Sequence, residues 1–68
     1  MNSEEVKKKI GNKLKEAREK ANLTQEELAK KAGLSTNYYA CVERGEVNIA
    51  AERLQKIGEV LGVKLLNI

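Results

Sequence analysis

Apolar side chains recur every three or four residues over most of the chain, a spacing that predicts short amphipathic helices. In residues 3–21 they form a single stripe on a helix: Val6, Ile10, Leu14, Ala17 and Ala21. A second stripe lies in about residues 49–61, with Leu54, Ile57 and Leu61 facing inward. The final stretch "VKLLNI", residues 63–68, is too short and too apolar to remain solvated alone.

Two more helices are predicted between these stripes from their start and stop signals. Thr24 opens the run "TQEE", a capping box in which Thr24 and Glu27 each cover an amide of the other. The helix that starts there should end at Gly33, because glycine readily takes the left-handed conformation of a helix C-terminus.

A tight turn then leads to the next helix, since only Leu34 separates Gly33 from the next capping residue, Ser35. This third helix is predicted from Thr36 to about residue 44, and Gly45 ends it. In the first helix, Gly11 is the predicted weak point, because glycine lowers helix stability.

Composition narrows the class of protein. The 68 residues include no proline, no histidine and a single cysteine, so we expect one helical domain over residues 1–68 and a reducing, cytosolic compartment. Without histidine or a second cysteine, a metal site or a catalytic pair lacks its usual members, so we expect no enzyme, no cofactor and no metal. The longest apolar run is far short of the roughly 20 residues that cross a membrane.

Positive charge is concentrated in the first half of the chain. Residues 1–31 carry nine Lys or Arg against six Glu, whereas residues 32–68 carry four of each. The whole net charge of +3 therefore belongs to the first half.

The third helix has an unusual exposed face. At about 100° per residue, Tyr39 points to the core and Tyr38 flanks the opposite, exposed surface. That surface comprises short or uncharged residues and one terminal cation: Thr36, Asn37, Ala40, Cys41 and Arg44. Chance and local packing could produce such a face, but short polar side chains at a helix N-terminus are also what the DNA major groove admits.

The segment "LTQEELAKKAGLSTNYYACVERGE" resembles the helix-turn-helix of the lambda-repressor and Cro-like family, also called Xre-like. The resemblance extends from about Leu14 through Val63. It implies an all-α fold, a compact bundle of four to five short helices with a helix-turn-helix motif. It also implies a sequence-specific double-stranded DNA-binding transcriptional regulator, repressor or activator, that acts as a dimer on a pseudo-palindromic operator.

The resemblance further assigns roles to single residues. Contacts to DNA phosphates fall to Gln25, Tyr38, Arg44 and Asn48. Base edges would be read by Thr36, Asn37 and Cys41. Arg18 and Glu43 match a structural ion pair between the first and third helices. Asn48 has an equal alternative role as the cap of the fourth helix.

Three positions depart from the family pattern. Tyr39 replaces a branched aliphatic residue, so either the third helix is displaced or the hydroxyl finds a polar outlet. Ala50 replaces the Ser or Thr that usually caps the fourth helix, and Cys41 replaces a longer base-reading side chain.

A homodimer is the expected assembly, with residues 63–68 as a candidate dimerisation tail. Leu65, Leu66 and Ile68 have no evident place in one small core. The alternative is an antitoxin-like or other protein-interaction module, which would bind a partner such as a toxin through this tail or the fourth helix. Controller proteins of restriction-modification systems, phage repressors and antitoxins all remain open as subfamilies.

Overall fold

Four α-helices form the computed structural model, which describes residues 3–63: α1 (Ser3–Lys20), α2 (Gln25–Lys31), α3 (Thr36–Glu43) and α4 (Ala51–Leu61). No strand occurs in this range, so the predicted all-α fold is confirmed. Leu65, Leu66 and Ile68, the basis of the predicted dimerisation tail, lie outside the described residues.

The turn between α2 and α3 forms as its signals predict. The Glu27 amide donates to Thr24 Oγ1 at 3.0 Å, and the Thr24 amide donates to Glu27 Oε1 at 2.8 Å, which completes the capping box. Gly33 has a φ of +72°, and the Ser35 hydroxyl then accepts the Tyr38 amide at 3.1 Å to start α3. Local capping chemistry therefore sets the position of α3 relative to α2.

Two helix boundaries differ from prediction. The fourth helix begins at Ala51 rather than at residue 49, because Ala50 is extended (φ −66°, ψ 147°) and serves as N-cap without a side-chain hydrogen bond. Asn48 accordingly does not cap α4, which removes that alternative role. The third helix ends at Glu43, and Arg44 is its C-cap.

All four helices contribute to one core, with the Tyr39 ring fully buried in it as predicted. Its buried apolar members are Leu14, Leu28, Ala29, Ala32, Tyr39, Val42, Leu54 and Ile57. The predicted stripe on α1 is buried only near its middle, and its ends at Val6 and Ala21 are exposed. At about 1.5 Å per residue, the 18-residue α1 is more than twice as long as the 8-residue α3, so α3 cannot cover both ends.

Glycines allow α1 and α3 to lie unusually close together. A Cβ at the buried Gly11 would be 2.7 Å from the Val42 carbonyl oxygen and would also collide with that of Glu43. A Cβ at Gly45 would be 2.9 Å from the Cα of Lys8. Gly11, the predicted weak point of the first helix, is therefore the residue that permits its contact with α3.

Candidate nucleic-acid interface

The exposed face of α3 carries no charged side chain. Thr36 and Asn37 are exposed in its first turn, and Cys41 is half-buried one turn later. The one acidic residue of the helix, Glu43, is buried on the other side. Short polar groups are thus presented at the N-terminal end of a helix that follows a tight turn.

Arg18 and Glu43 form a buried ion pair between α1 and α3. Arg18 Nε donates to Glu43 Oε2 at 2.6 Å, and Nη2 donates to Oε1 at 3.2 Å. The side chains are only 12 % and 3 % exposed, respectively. Arg18 Nη1 also donates to the Leu23 carbonyl at 2.8 Å, so one guanidinium joins α1, the α1–α2 loop and α3.

Gln25 joins the same cluster from the start of α2. Its Nε2 donates to Glu43 Oε1 at 2.9 Å, a contact that sequence reasoning missed because the two residues are 18 positions apart. Burial on its own raises the pKa of Glu43, but the hydrogen bonds from Arg18 and Gln25 outweigh it and hold that pKa below the ordinary value. Glu43 is therefore the ionised centre that ties together α1, α2 and α3.

The polar outlet for the Tyr39 hydroxyl, one of the two alternatives for this replacement, is present only in part. The hydroxyl is buried and makes no hydrogen bond of acceptable geometry among residues 3–63. The Glu43 carboxylate and the Arg18 guanidinium are close enough to influence it, and burial together with Glu43 raises the pKa of Tyr39. The replacement of an aliphatic residue by tyrosine thus leaves an unsatisfied hydroxyl beside the ion pair.

Arg44, a predicted phosphate contact, forms an ion pair with Glu46 in this structure. Its Nε and Nη2 donate to the Glu46 carboxylate at 2.9 and 3.1 Å, and Nη2 is 3.2 Å from Cys41 Sγ. Both side chains of the pair are 53 % exposed. The hydrogen bond from Arg44 lowers the pKa of Glu46.

Tyr38 lies on another flank of α3, half-buried against the core. The Arg53 guanidinium of α4 covers its ring, with 5.1 Å between the guanidinium carbon and the ring centroid. Asn48 is exposed in the loop between α3 and α4. The sequence offered no local signal for the contact from Arg53, which comes from another helix.

A surface groove of about 720 Å³ brings part of the predicted site together. It is lined by Lys8, Asn12, Lys15, Arg18, Gln25, Glu43, Arg44 and Glu46. Gln25 and Arg44 therefore share one groove with the ion pair, whereas Thr36, Asn37, Cys41, Tyr38 and Asn48 do not line it. The predicted phosphate contacts are divided between this groove and the side of α3 near α4.

The described part of the chain holds no cluster of three His, Cys, Asp or Glu side chains that could bind a metal ion. Within the same residues, no helix is both long and apolar enough to span a membrane.

Two short capped helices joined by a tight glycine turn, the second with an uncharged exposed face, have the arrangement of a helix-turn-helix motif. The chain belongs to this helix-turn-helix family, of the lambda-repressor-like or Xre-like type, and the family pattern matches residues 14–67.

Similar proteins include regulators of the same helix-turn-helix type. The chain is 40 % identical over 62 residues to the control protein C.MunI of a Mycoplasma species, covering 90 % of this chain and 84 % of the relative. It is 42 % identical over 57 residues to an uncharacterized HTH-type transcriptional regulator of Methanocaldococcus jannaschii, covering 84 % and 86 %. It is 36 % identical over 56 residues to the immunity repressor of Bacillus phage phi105, covering 82 % of this chain but 39 % of that protein.

These similarities confirm the predicted class of function. The chain is a helix-turn-helix transcriptional regulator that binds DNA, and it is not an enzyme. The relatives favour this assignment over a protein-interaction module.

Proposed function

We propose that this protein is a cytoplasmic, sequence-specific regulator that binds a pseudo-palindromic operator as a symmetric homodimer, with α3 of each protomer in the major groove. The observation that carries the proposal is the uncharged exposed face of α3, on which Thr36 and Asn37 stand free at the N-terminal turn. Glu side chains at these positions would repel phosphates, whereas hydroxyl and amide groups can approach base edges.

Base reading is assigned to Thr36, Asn37 and Cys41. An exposed asparagine can form two hydrogen bonds with adenine, and a threonine methyl can contact the methyl group of thymine. Cys41 is half-buried and close to Arg44, so it offers mainly apolar contact. With so few direct contacts, DNA shape contributes to operator choice.

Phosphate contacts are assigned to Gln25, Tyr38, Arg44 and Asn48. One N–H of the Gln25 amide donates to Glu43, which fixes the side chain, and the second N–H is left for a phosphate oxygen. Tyr38 is held by Arg53 and Asn48 is exposed, so both are placed beside α3. Arg44 contacts a phosphate once its ion pair with Glu46 is broken.

An operator-binding experiment tests these assignments. The operator is selected from a random duplex library, and affinities are then measured by fluorescence anisotropy at fixed salt. We expect Asn37→Ala to relax the preference at one base pair, at a cost of about 1–3 kcal/mol, and Gln25→Ala to weaken all duplexes nearly alike. The exposed Gln55 of α4 supplies a matched control, Gln55→Ala, which should bind like the parent.

The base-reading role is contradicted if Asn37→Ala keeps the parent's selectivity. The clamping role of Gln25 is contradicted if Gln25→Ala and Gln55→Ala bind equally well.

The homodimer is tested separately by sedimentation. We expect a dimer because a single short reading helix makes few base contacts. Its two copies of α3 should lie about 34 Å apart, the length of one turn of DNA. A chain that sediments as a monomer at high micromolar concentration, with and without operator, contradicts the dimer. A second protein that co-purifies in stoichiometric amount would instead favour the toxin-binding alternative.

A further inference from the structure

One face of α1 beside the groove is the feature that the assigned site does not use. Lys8, Asn12 and Lys15 are exposed there and follow one another at intervals of four and three residues, so they form a single stripe. The stripe lines the same groove as Gln25 and Arg44.

Charge in this groove is not balanced. Its lining contains four cations, Lys8, Lys15, Arg18 and Arg44, and two carboxylates, those of Glu43 and Glu46. Arg18 already holds Glu43, and Arg44 holds Glu46. Both lysines are therefore left without an acid among the groove-lining residues, whereas the nearby Lys7 pairs with Glu4 at 3.4 Å.

The stripe is also fixed relative to α3. Gly45, which follows α3, packs against the backbone of Lys8, and Gly11 packs against the carbonyl of Val42. These two contacts leave little freedom for α1 to slide or rotate against α3. The lysines consequently keep a constant position relative to the helix that reads DNA.

We propose that Lys8 and Lys15, with Asn12 between them, bind backbone phosphates of the DNA that lie beyond the bases read by α3. This inference rests on the proposed operator binding and extends its contact surface along α1. Seven residues of helix place the two lysines about 10 Å apart, a length over which one strand of B-DNA carries about three phosphates. The unpaired cations match this spacing, and the Asn12 amide supplies a neutral donor between them.

The salt dependence of DNA binding measures these contacts. Each neutralised phosphate contributes about 0.9 to the slope of log affinity against log salt concentration. The double variant Lys8→Gln/Lys15→Gln should therefore lower the slope by about 1.8 per bound protomer. Base preference should not change, since the stripe lies away from the reading face.

A matched control exists on another face of the same helix. Lys13 and Lys20 are also seven residues apart, and they line a separate groove near Leu61 and Val63. Lys13→Gln/Lys20→Gln makes the same change in net charge but should keep the parent's slope. Lys8→Arg/Lys15→Arg keeps the charge and should also keep the parent's slope. Thermal melts of all variants verify that each is folded.

Equal slopes for the Lys8/Lys15 and Lys13/Lys20 variants would overturn the inference, because only general charge would then matter. A random duplex serves for the same comparison. A parent protein that prefers no operator therefore refutes the proposed function without preventing this test.

Discussion

Arg18 and Glu43 are 25 residues apart in the chain and joined by two hydrogen bonds, the shorter of them 2.6 Å long. Both side chains are largely buried. Removal of one partner strands the other charge away from water, whereas removal of both does not. We expect Arg18→Met and Glu43→Gln each to cost about 3 kcal/mol of unfolding free energy, and the double variant to cost much less than their sum. Thermal and denaturant melts provide the measurement.

The exposed pair Arg44–Glu46 serves as the internal control for that experiment. Because water screens both of its charges, Glu46→Gln should leave the melting temperature close to that of the parent. Small, additive effects at Arg18 and Glu43 would contradict the structural role given to the buried pair.

Stability should fall in acid through Glu43. Its pKa is lowered in the folded protein, so its ionised form favours folding. This contribution is complete above the ordinary glutamate value of 4.5 and is lost as the pH falls below it through the lowered pKa. Between about pH 6 and pH 3, the difference in melting temperature between the parent and Glu43→Gln should therefore shrink. A constant difference over that range would show that Glu43 does not titrate as described.

The stability of the fold should depend on the Tyr39 ring and not on its hydroxyl. Tyr39→Ala empties the centre of the core and should cost about 3–5 kcal/mol. Tyr39→Phe removes a buried oxygen that makes no hydrogen bond, so the unfolding free energy should stay the same or rise by up to about 1 kcal/mol. Denaturant melts distinguish the two. A large loss in Tyr39→Phe would mean that the hydroxyl supports Glu43.

Gly11→Ala should destabilise the protein although alanine is the better helix former. The gain in helix propensity is about 1 kcal/mol. The new methyl group would meet backbone carbonyls of α3 that cannot move aside easily, and such overpacking costs about 1–3 kcal/mol. We therefore expect a lower melting temperature. The control is Glu16→Ala on the exposed side of α1, which should melt like the parent; a Gly11→Ala variant more stable than the parent would contradict the close approach.

Glu46→Gln should tighten DNA binding. In the proposed DNA complex, Glu46 competes with phosphate for the Arg44 guanidinium, and it adds a negative charge to the groove. An exposed pair of this kind is weak, so the affinity should rise by only a small factor, on the order of fivefold or less, at fixed salt. Anisotropy titrations of Glu46→Gln and Arg44→Gln provide the measurement, with Arg44→Gln expected to bind more weakly. If Glu46→Gln binds DNA no better than the parent, the pair with Glu46 does not limit DNA binding by Arg44.

Local signals made much of the fold predictable from the sequence. Capping chemistry places the starts of α2 and α3, because the residues that interact are within three positions of one another. Periodicity identifies the buried side of α3 and places Tyr39 in the core. The apolar stripe placed the start of α4 two residues early, whereas the resemblance placed its cap at Ala50, where the structure has it.

Contacts between distant residues were less predictable. The resemblance suggested the pairing of Arg18 with Glu43, but the bond from Gln25 depends on how α2 packs against α3. Gly11 was predicted only to weaken the first helix, because helix propensity describes an isolated helix. Propensity ignores the close approach of α3 that this glycine permits. Arg53 over Tyr38 likewise depends on the placement of α4.

The position of the aromatic residues has an optical consequence. The chain contains two tyrosines and neither tryptophan nor phenylalanine, and both tyrosines belong to α3. Near-ultraviolet absorption and intrinsic fluorescence therefore originate from α3, with one emitter buried in the core and the other beside the Arg53 guanidinium. In a Tyr38→Phe protein, a single buried fluorophore would report the state of α3 without any attached dye.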